Sequence, residues 1–135
     1  MQSDKTAIDA VAAEFFDAFT NRNGADPNVD ALYRLFLPEG IVVNNSGDAP
    51  QVFDLAAFVE PRRALLTGGG VTEFCEKEVA EKTEILGNIA QRVSRYRKSW
   101  IASERTFEGG GTKAMQLVKT PEGWKIAALA WFDET

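Results

Sequence analysis

Apolar residues recur at helical spacing in the first part of the chain and at strand spacing from about residue 71 onward. Over residues 4–22, Ile8, Val11, Phe15 and Phe19 form one stripe, widened by Ala12 and Phe16, and predict an amphipathic helix. Ser3 or Asp4 is placed to cap its start, and Asn23-Gly24 to end it. Asp26-Pro27 reads as a cap followed by proline at the first helical position. A short second helix is predicted over 27–36, with Val29, Leu32, Tyr33 and Phe36 inward and Pro38 stopping it. Gly40 to Asn45 predicts a short strand, 46–50 a loop, and Gln51 to Phe53 a piece of edge strand. Asp54 is placed to cap a third helix through Leu55, Phe58 and Val59, which Pro61 breaks or restarts. Gly68-Gly69-Gly70 is a hinge or loop; no Lys-Ser or Lys-Thr follows it, so it does not read as a phosphate cradle.

The second half predicts long antiparallel strands. Residues 71–86 and 88–103 flank Gly87-Asn88, a two-residue turn signal. With Leu86 paired to Ile89, Glu78 faces Arg97 and Glu76 faces Ser99. Lys82, Arg95, Glu76, Glu78 and Arg97 then share a solvated or subunit-facing side, and Cys75, Val79, Ile85, Ala90, Tyr96 and Trp100 share the core side. A one-residue bulge would exchange the faces along part of the strand. Gly109 to Gly111 is expected to join two strands. From Thr112 to Asp133, two apolar runs flank Thr120-Pro121-Glu122-Gly123, a tight turn with glycine where φ must be positive. With Thr120 opposite Trp124, Met115, Leu117, Ala127, Leu129 and Trp131 share one face, and Ala114, Val118, Ile126, Ala128, Ala130 and Phe132 the other. Both faces are apolar, so both should be covered, one by the helices and the other by a second subunit or a sharply curled sheet.

Helices grouped ahead of an antiparallel sheet define an α+β class. The 135 residues fit one domain, 1–135. A net charge of −5 disfavours a nucleic-acid or anionic-membrane partner. No run of 18 apolar residues is present, and the opening MQSDKTAIDA lacks the apolar core of a secretory signal, so a cytoplasmic location is expected. The single cysteine, Cys75, forms no intrachain disulfide and reads as an inert strand residue beside Glu76. Histidine is absent. That excludes Ser-His and Cys-His nucleophile pairs, His-ligated zinc and the facial-triad iron site, and leaves acid–base work to Asp, Glu, Tyr, Lys or Cys. No metal and no cofactor is expected.

Three strings carry a resemblance over nearly the whole chain: Leu32 to Gly40 (LYRLFLPEG), Gly87-Asn88-Ile89-Ala90 leading to Ser94-Arg95-Tyr96, and Gln116-Leu117-Val118 through Gly123-Trp124-Lys125-Ile126 to Trp131. They resemble the nuclear transport factor 2-like superfamily, whose fold also holds ketosteroid isomerase, scytalone dehydratase and the SnoaL-type cyclases. The resemblance implies a cystatin-like cone, with a curved antiparallel or mixed sheet wrapped over three N-terminal helices. It also implies a pocket at the wide end and a homodimer through the sheet's outer face. The dehydratase pattern needs histidine, which this chain lacks; an isomerase-like pattern needs an Asp base and a Tyr or protonated acid as oxyanion donor.

Tyr96 and Asp133 are residue types suited to those roles. Tyr96 is read either as a core tyrosine with its hydroxyl bonded to backbone or water, or as a pocket donor. Asp133 is read either as a solvated carboxylate near the end of its strand, or as a base with a pKa raised by desolvation. Glu76 and Glu78 reach a pocket only if the strand register differs from the one above. Phe15, Phe19, Phe36, Phe53, Phe58, Trp100, Met115 and Trp131 form an apolar set, read as core or as the lining of a cavity for a small apolar ligand. Asn44 and Asn45 can serve a turn or offer amides at the rim. The function expected is binding of a small apolar metabolite, with cofactor-free isomerase, cyclase or dehydratase chemistry as its catalytic form. A non-catalytic dimerisation or partner-binding module is the alternative, and a ring-hydroxylating dioxygenase small-subunit role is a weaker third.

Overall fold

The computed structural model describes residues 3–134. Helix α1 (Asp4–Asp17) starts where the Ser3 hydroxyl accepts the Thr6 N–H, and buries Ile8, Ala12, Phe15 and Phe16. It ends five residues before the predicted boundary. The reason is Asn21, whose backbone N–H bonds Phe74 O while its side chain accepts from Phe74 N at 2.7 Å and donates to Leu66 O at 2.9 Å and Val71 O at 2.8 Å. These bonds replace the helical ladder. Asn23 and Gly24, both at positive φ, form the turn that follows.

Helix α2 (Ala31–Leu35) is a single turn, shorter than predicted. Asp26-Pro27 caps nothing, and Phe36 opens strand β1 (Phe36–Asn44) instead of ending the helix. Tyr33 points outward, its hydroxyl 2.5 Å from Glu60 Oε2, while Val29, Leu32, Leu35 and Phe36 are buried. Pro38 lies within β1, at the register irregularity between Phe36 and Ile41, where the ladder does not require its missing N–H. Strand β2 (Gln51–Asp54) leads into α3 (Leu55–Thr67), capped as predicted by Asp54, which accepts the Ala57 N–H at 2.8 Å. Pro61 sits inside an unbroken α3.

Strands β3 (Thr72–Leu86), β4 (Ile89–Ala102), β5 (Arg105–Thr120) and β6 (Gly123–Glu134) complete an open six-stranded mixed sheet of order β2-β1-β6-β5-β4-β3. β1 runs parallel to β6; every other pair is antiparallel. The inner face is covered by the helices: α1 packs on β3 and β6, α3 on β1 and β2. Arg92, almost fully buried, ties α1 to the sheet through a two-pronged pair with Glu78 and a 2.7 Å contact with Asp9. Trp124 Nε1 donates to Asp4 Oδ1 at 3.0 Å, fixing the end of the last hairpin to the start of α1. Among the described residues no helix is long and apolar enough to cross a membrane.

Three sequence expectations change in the sheet. First, Leu86 does pair with Ile89, but a bulge at Val79 shifts the register, so Glu78 faces Tyr96 and Glu76 faces Lys98. Beyond the bulge the faces exchange: Glu76 and Glu78 turn inward, while Val79 is exposed. Second, β4 and β5 are joined by Ser103-Glu104, both at positive φ, a two-residue turn without the usual glycine or asparagine. Gly109 to Gly111 therefore lies inside β5. Third, the last hairpin pairs Thr120 with Gly123 and Lys119 with Trp124, and a bulge between Gln116 and Leu117 leaves Ala127 unpaired. Trp124 and Ile126 join Met115, Leu117, Leu129 and Trp131 on the buried face.

Candidate functional site

A cavity of about 400 Å³ opens between α3 and the inner face of the sheet. Phe15 and Phe19 reach it from α1 and the turn after it, Phe58, Pro61, Arg62, Leu65 and Leu66 from α3, and Phe74 and Glu76 from the first part of β3. Lys98 and Trp100 come from β4, Lys113 from β5, Trp131 and Asp133 from β6, and Asn44 from the end of β1. Val71 stands between the glycine loop and β3. Of the eight aromatic and apolar residues proposed from sequence, Phe15, Phe19, Phe58, Trp100 and Trp131 line the cavity. Phe36 and Met115 are fully buried outside it, and Phe53 packs against the core from β2. The rings contact edge to face, with Phe15–Phe19 centroids at 5.4 Å, Phe19–Phe58 at 6.1 Å and Phe58–Trp131 at 5.8 Å.

Polar groups enter this aromatic wall at three points. The first is Glu76 with Lys113, each over nine-tenths buried, with Lys113 Nζ 3.1 Å from Glu76 Oε1. The ammonium also lies over the Tyr96 ring at 4.0 Å and the Trp131 ring at 4.9 Å. Burial pushes the Lys113 amine below its ordinary pKa, against the pull of Glu76. The ion pair lacks hydrogen-bond geometry, and Glu76 Oε1 has no hydrogen-bond partner among the described residues. An ion pair this deep is a poor source of stability, because desolvation offsets the attraction.

The second point is Asp133. Its Oδ1 accepts a short hydrogen bond from the Tyr96 hydroxyl and one of 3.0 Å from Lys98 Nζ. Burial raises the carboxyl's pKa, but the bonds from Tyr96 and Lys98 outweigh it, so the group titrates below its ordinary value. The rise expected from desolvation alone is reversed. Burial and the neighbouring Asp133 push the Tyr96 phenol well above its ordinary pKa. Tyr96 is itself buried, and its hydroxyl also reaches Phe132 O at 3.2 Å. It therefore braces Asp133 from behind the cavity wall. This bond needs Gly111: a Cβ there would lie 2.1 Å from Phe132 O and 2.6 Å from the Tyr96 hydroxyl.

The third point is Arg62, whose guanidinium lies 4.1 Å from the Phe58 ring centroid and 5.5 Å from that of Trp131. Nη1 donates to Phe58 O at 3.0 Å. Asn44 keeps its side-chain oxygen on the turn, accepting the Ser46 N–H at 3.0 Å, while lining the rim. Lys98, Lys113 and Arg62 were missed as site residues, and Glu76 was given to the pocket only under a register other than the one read, which is the register found. Glu76 is turned inward by the bulge, Lys113 shares the strand parity of the buried Met115 and Leu117, and Arg62 follows a proline expected to interrupt its helix. Among the described residues no group of three or more His, Cys, Asp or Glu is arranged to hold a metal ion.

The fold is that of nuclear transport factor 2-like proteins, an α+β architecture also called cystatin-like. Over 98% of this chain it matches such a protein from Salmonella enterica serovar Typhimurium at a TM-score of 0.78, 14% identity and 92% of that chain. A nuclear transport factor 2-like protein from Cytophaga hutchinsonii matches over 98% of this chain and 100% of that one, at 0.75 and 12% identity. An uncharacterised protein with a cystatin-like fold from Caulobacter vibrioides matches at 0.73 and 14%, over 98% and 90%. No family model and no curated protein sequence matches the chain. At these identities the likeness establishes the fold, and the chemistry has to be argued from the cavity.

Proposed function

We propose that the protein binds a small, flat, mostly apolar metabolite in the cavity between α3 and the sheet, and does so in the cytoplasm. The observation that carries this reading is an aromatic-walled space of about 400 Å³ into which Arg62, Glu76, Lys98, Lys113 and Asp133 bring charged groups. Convergent polar groups in an apolar cleft are the usual form of a small-molecule site. Cofactor-free isomerase, cyclase or dehydratase chemistry is the catalytic form of this proposal. In it Glu76 and Asp133 are the candidate bases, Glu76 held by Lys113 and Asp133 by Tyr96 and Lys98.

A second reading, a dimerisation or partner-binding module, is favoured by the outer sheet face. Val52, Val43, Ala130, Ala114 and Val93 stand side by side across five strands, with Ile41 and Phe132 exposed nearby. We propose a homodimer through this face, which suits a two-fold interface that uses the same patch twice. Native mass spectrometry tests the ligand proposal against the module. The expected result is an extra mass released on denaturation and lost in Val71→Trp, which fills the cavity beside the glycine loop. A protein without adduct, unchanged by Val71→Trp, transfers the weight to the module.

A further inference from the structure

The cavity holds three cations and two carboxylates, and the pairing leaves one cation over. Lys113 is paired with Glu76 at 3.1 Å and Lys98 with Asp133 at 3.0 Å. Arg62 has no carboxylate within ion-pair distance among the described residues, although Glu76 and Asp133 are the acidic groups whose charge it feels. Only Nη1 is used, on Phe58 O, so the Nε and Nη2 edge of the fork makes no hydrogen bond among the described residues. The Phe58 and Trp131 rings hold the guanidinium plane, so little side-chain freedom is left to lose on binding.

We propose that the ligand is an aromatic or apolar monocarboxylic acid whose carboxylate is received by the free edge of Arg62. This rests on the cavity-binding reading above and names its ligand class. A planar carboxylate matches the two parallel donors of a guanidinium edge. A single negative charge balances the one unpaired cation; a phosphate would call for further donors, and the two lysines are already engaged. The aromatic body of the acid then lies against Trp131, Trp100 and Phe74.

The test is isothermal titration calorimetry with benzoate, trans-cinnamate and indole-3-acetate, each against its neutral primary amide. For at least one pair the wild-type protein is expected to prefer the acid by about tenfold or more, the range of a charge-assisted bond. Arg62→Gln is expected to bring that ratio near one while leaving amide affinity in place, and Arg62→Lys to keep part of the preference. Retained amide binding also shows that the variants are folded. Equal affinity for acids and amides in the wild type, or a preference that survives Arg62→Gln, overturns the carboxylate inference alone. No binding of any acid or amide at millimolar concentration overturns it together with the cavity reading.

Discussion

Gly111 shows how much a single missing side chain can organise. It stands between Tyr96 and Asp133 on neighbouring strands, and its lack of a Cβ lets the phenol reach the carboxylate. Gly111→Ala is expected to force apart β6 and the Tyr96 hydroxyl and to cost about 3 kcal/mol, the upper range of overpacking. Gly109→Ala, which meets only the flexible Lys98 side chain at 3.5 Å, is expected to be nearly neutral. Urea unfolding of the two variants checks this, and equal midpoints would contradict it. At this scale the sequence told part of the story. Phe15, Phe19, Phe58, Trp100 and Trp131 were legible as a wall because large rings at helical and strand spacing have to meet somewhere. The partnership of Tyr96 with Asp133 was not, since it crosses three strands and depends on a glycine that looked like a linker. Nor was Arg62, whose role comes from two rings brought over it by different elements.

Among elements, the bulge at Val79 decides which residues see the cavity. Without it, strict alternation would put Cys75 inside and Glu76 outside, as the simple pairing from Leu86 and Ile89 predicts. Deleting Lys77, which stands between the bulge and Glu76, is therefore expected to move Glu76 to the outward place opposite Arg97, leaving Lys113 buried without its partner. Loss of one member of such a pair costs about 3–5 kcal/mol. Denaturant unfolding should show that loss, and titration of the deleted protein should show no cavity ligand; a wild-type midpoint would mean that the strand absorbs the deletion elsewhere. The order of helices and strands was legible because caps, periodicity and turn residues agreed along most of the chain. Bulges and the Ser103-Glu104 turn escaped because neither has a local signature here: one is set by pairing across strands, and the other places ordinary residues at positive φ.

For the whole molecule, the outer face of the sheet is the feature that a lone chain leaves unexplained. Val93→Arg and Phe132→Asp, each at an exposed position on that face, are expected to give a protein that sediments as a monomer where the wild type sediments as a dimer. A monomeric wild type would end the dimer proposal while leaving the cavity intact. The α+β class was readable from the grouping of elements; the parallel docking of β1 on β6 was not, since it is set by how the chain returns over the helices. One further consequence follows from Asn21. The run Gly68 to Gly70 has the composition of a gate, yet one amide donates to Leu66 O on one side of it and Val71 O on the other. A loop stapled at both ends is a poor lid. Traffic through the mouth then falls to side-chain rotation of the exposed Leu65, which runs in picoseconds to nanoseconds, so exchange of a bound molecule should be set by its own affinity and not by the slow opening of a flap.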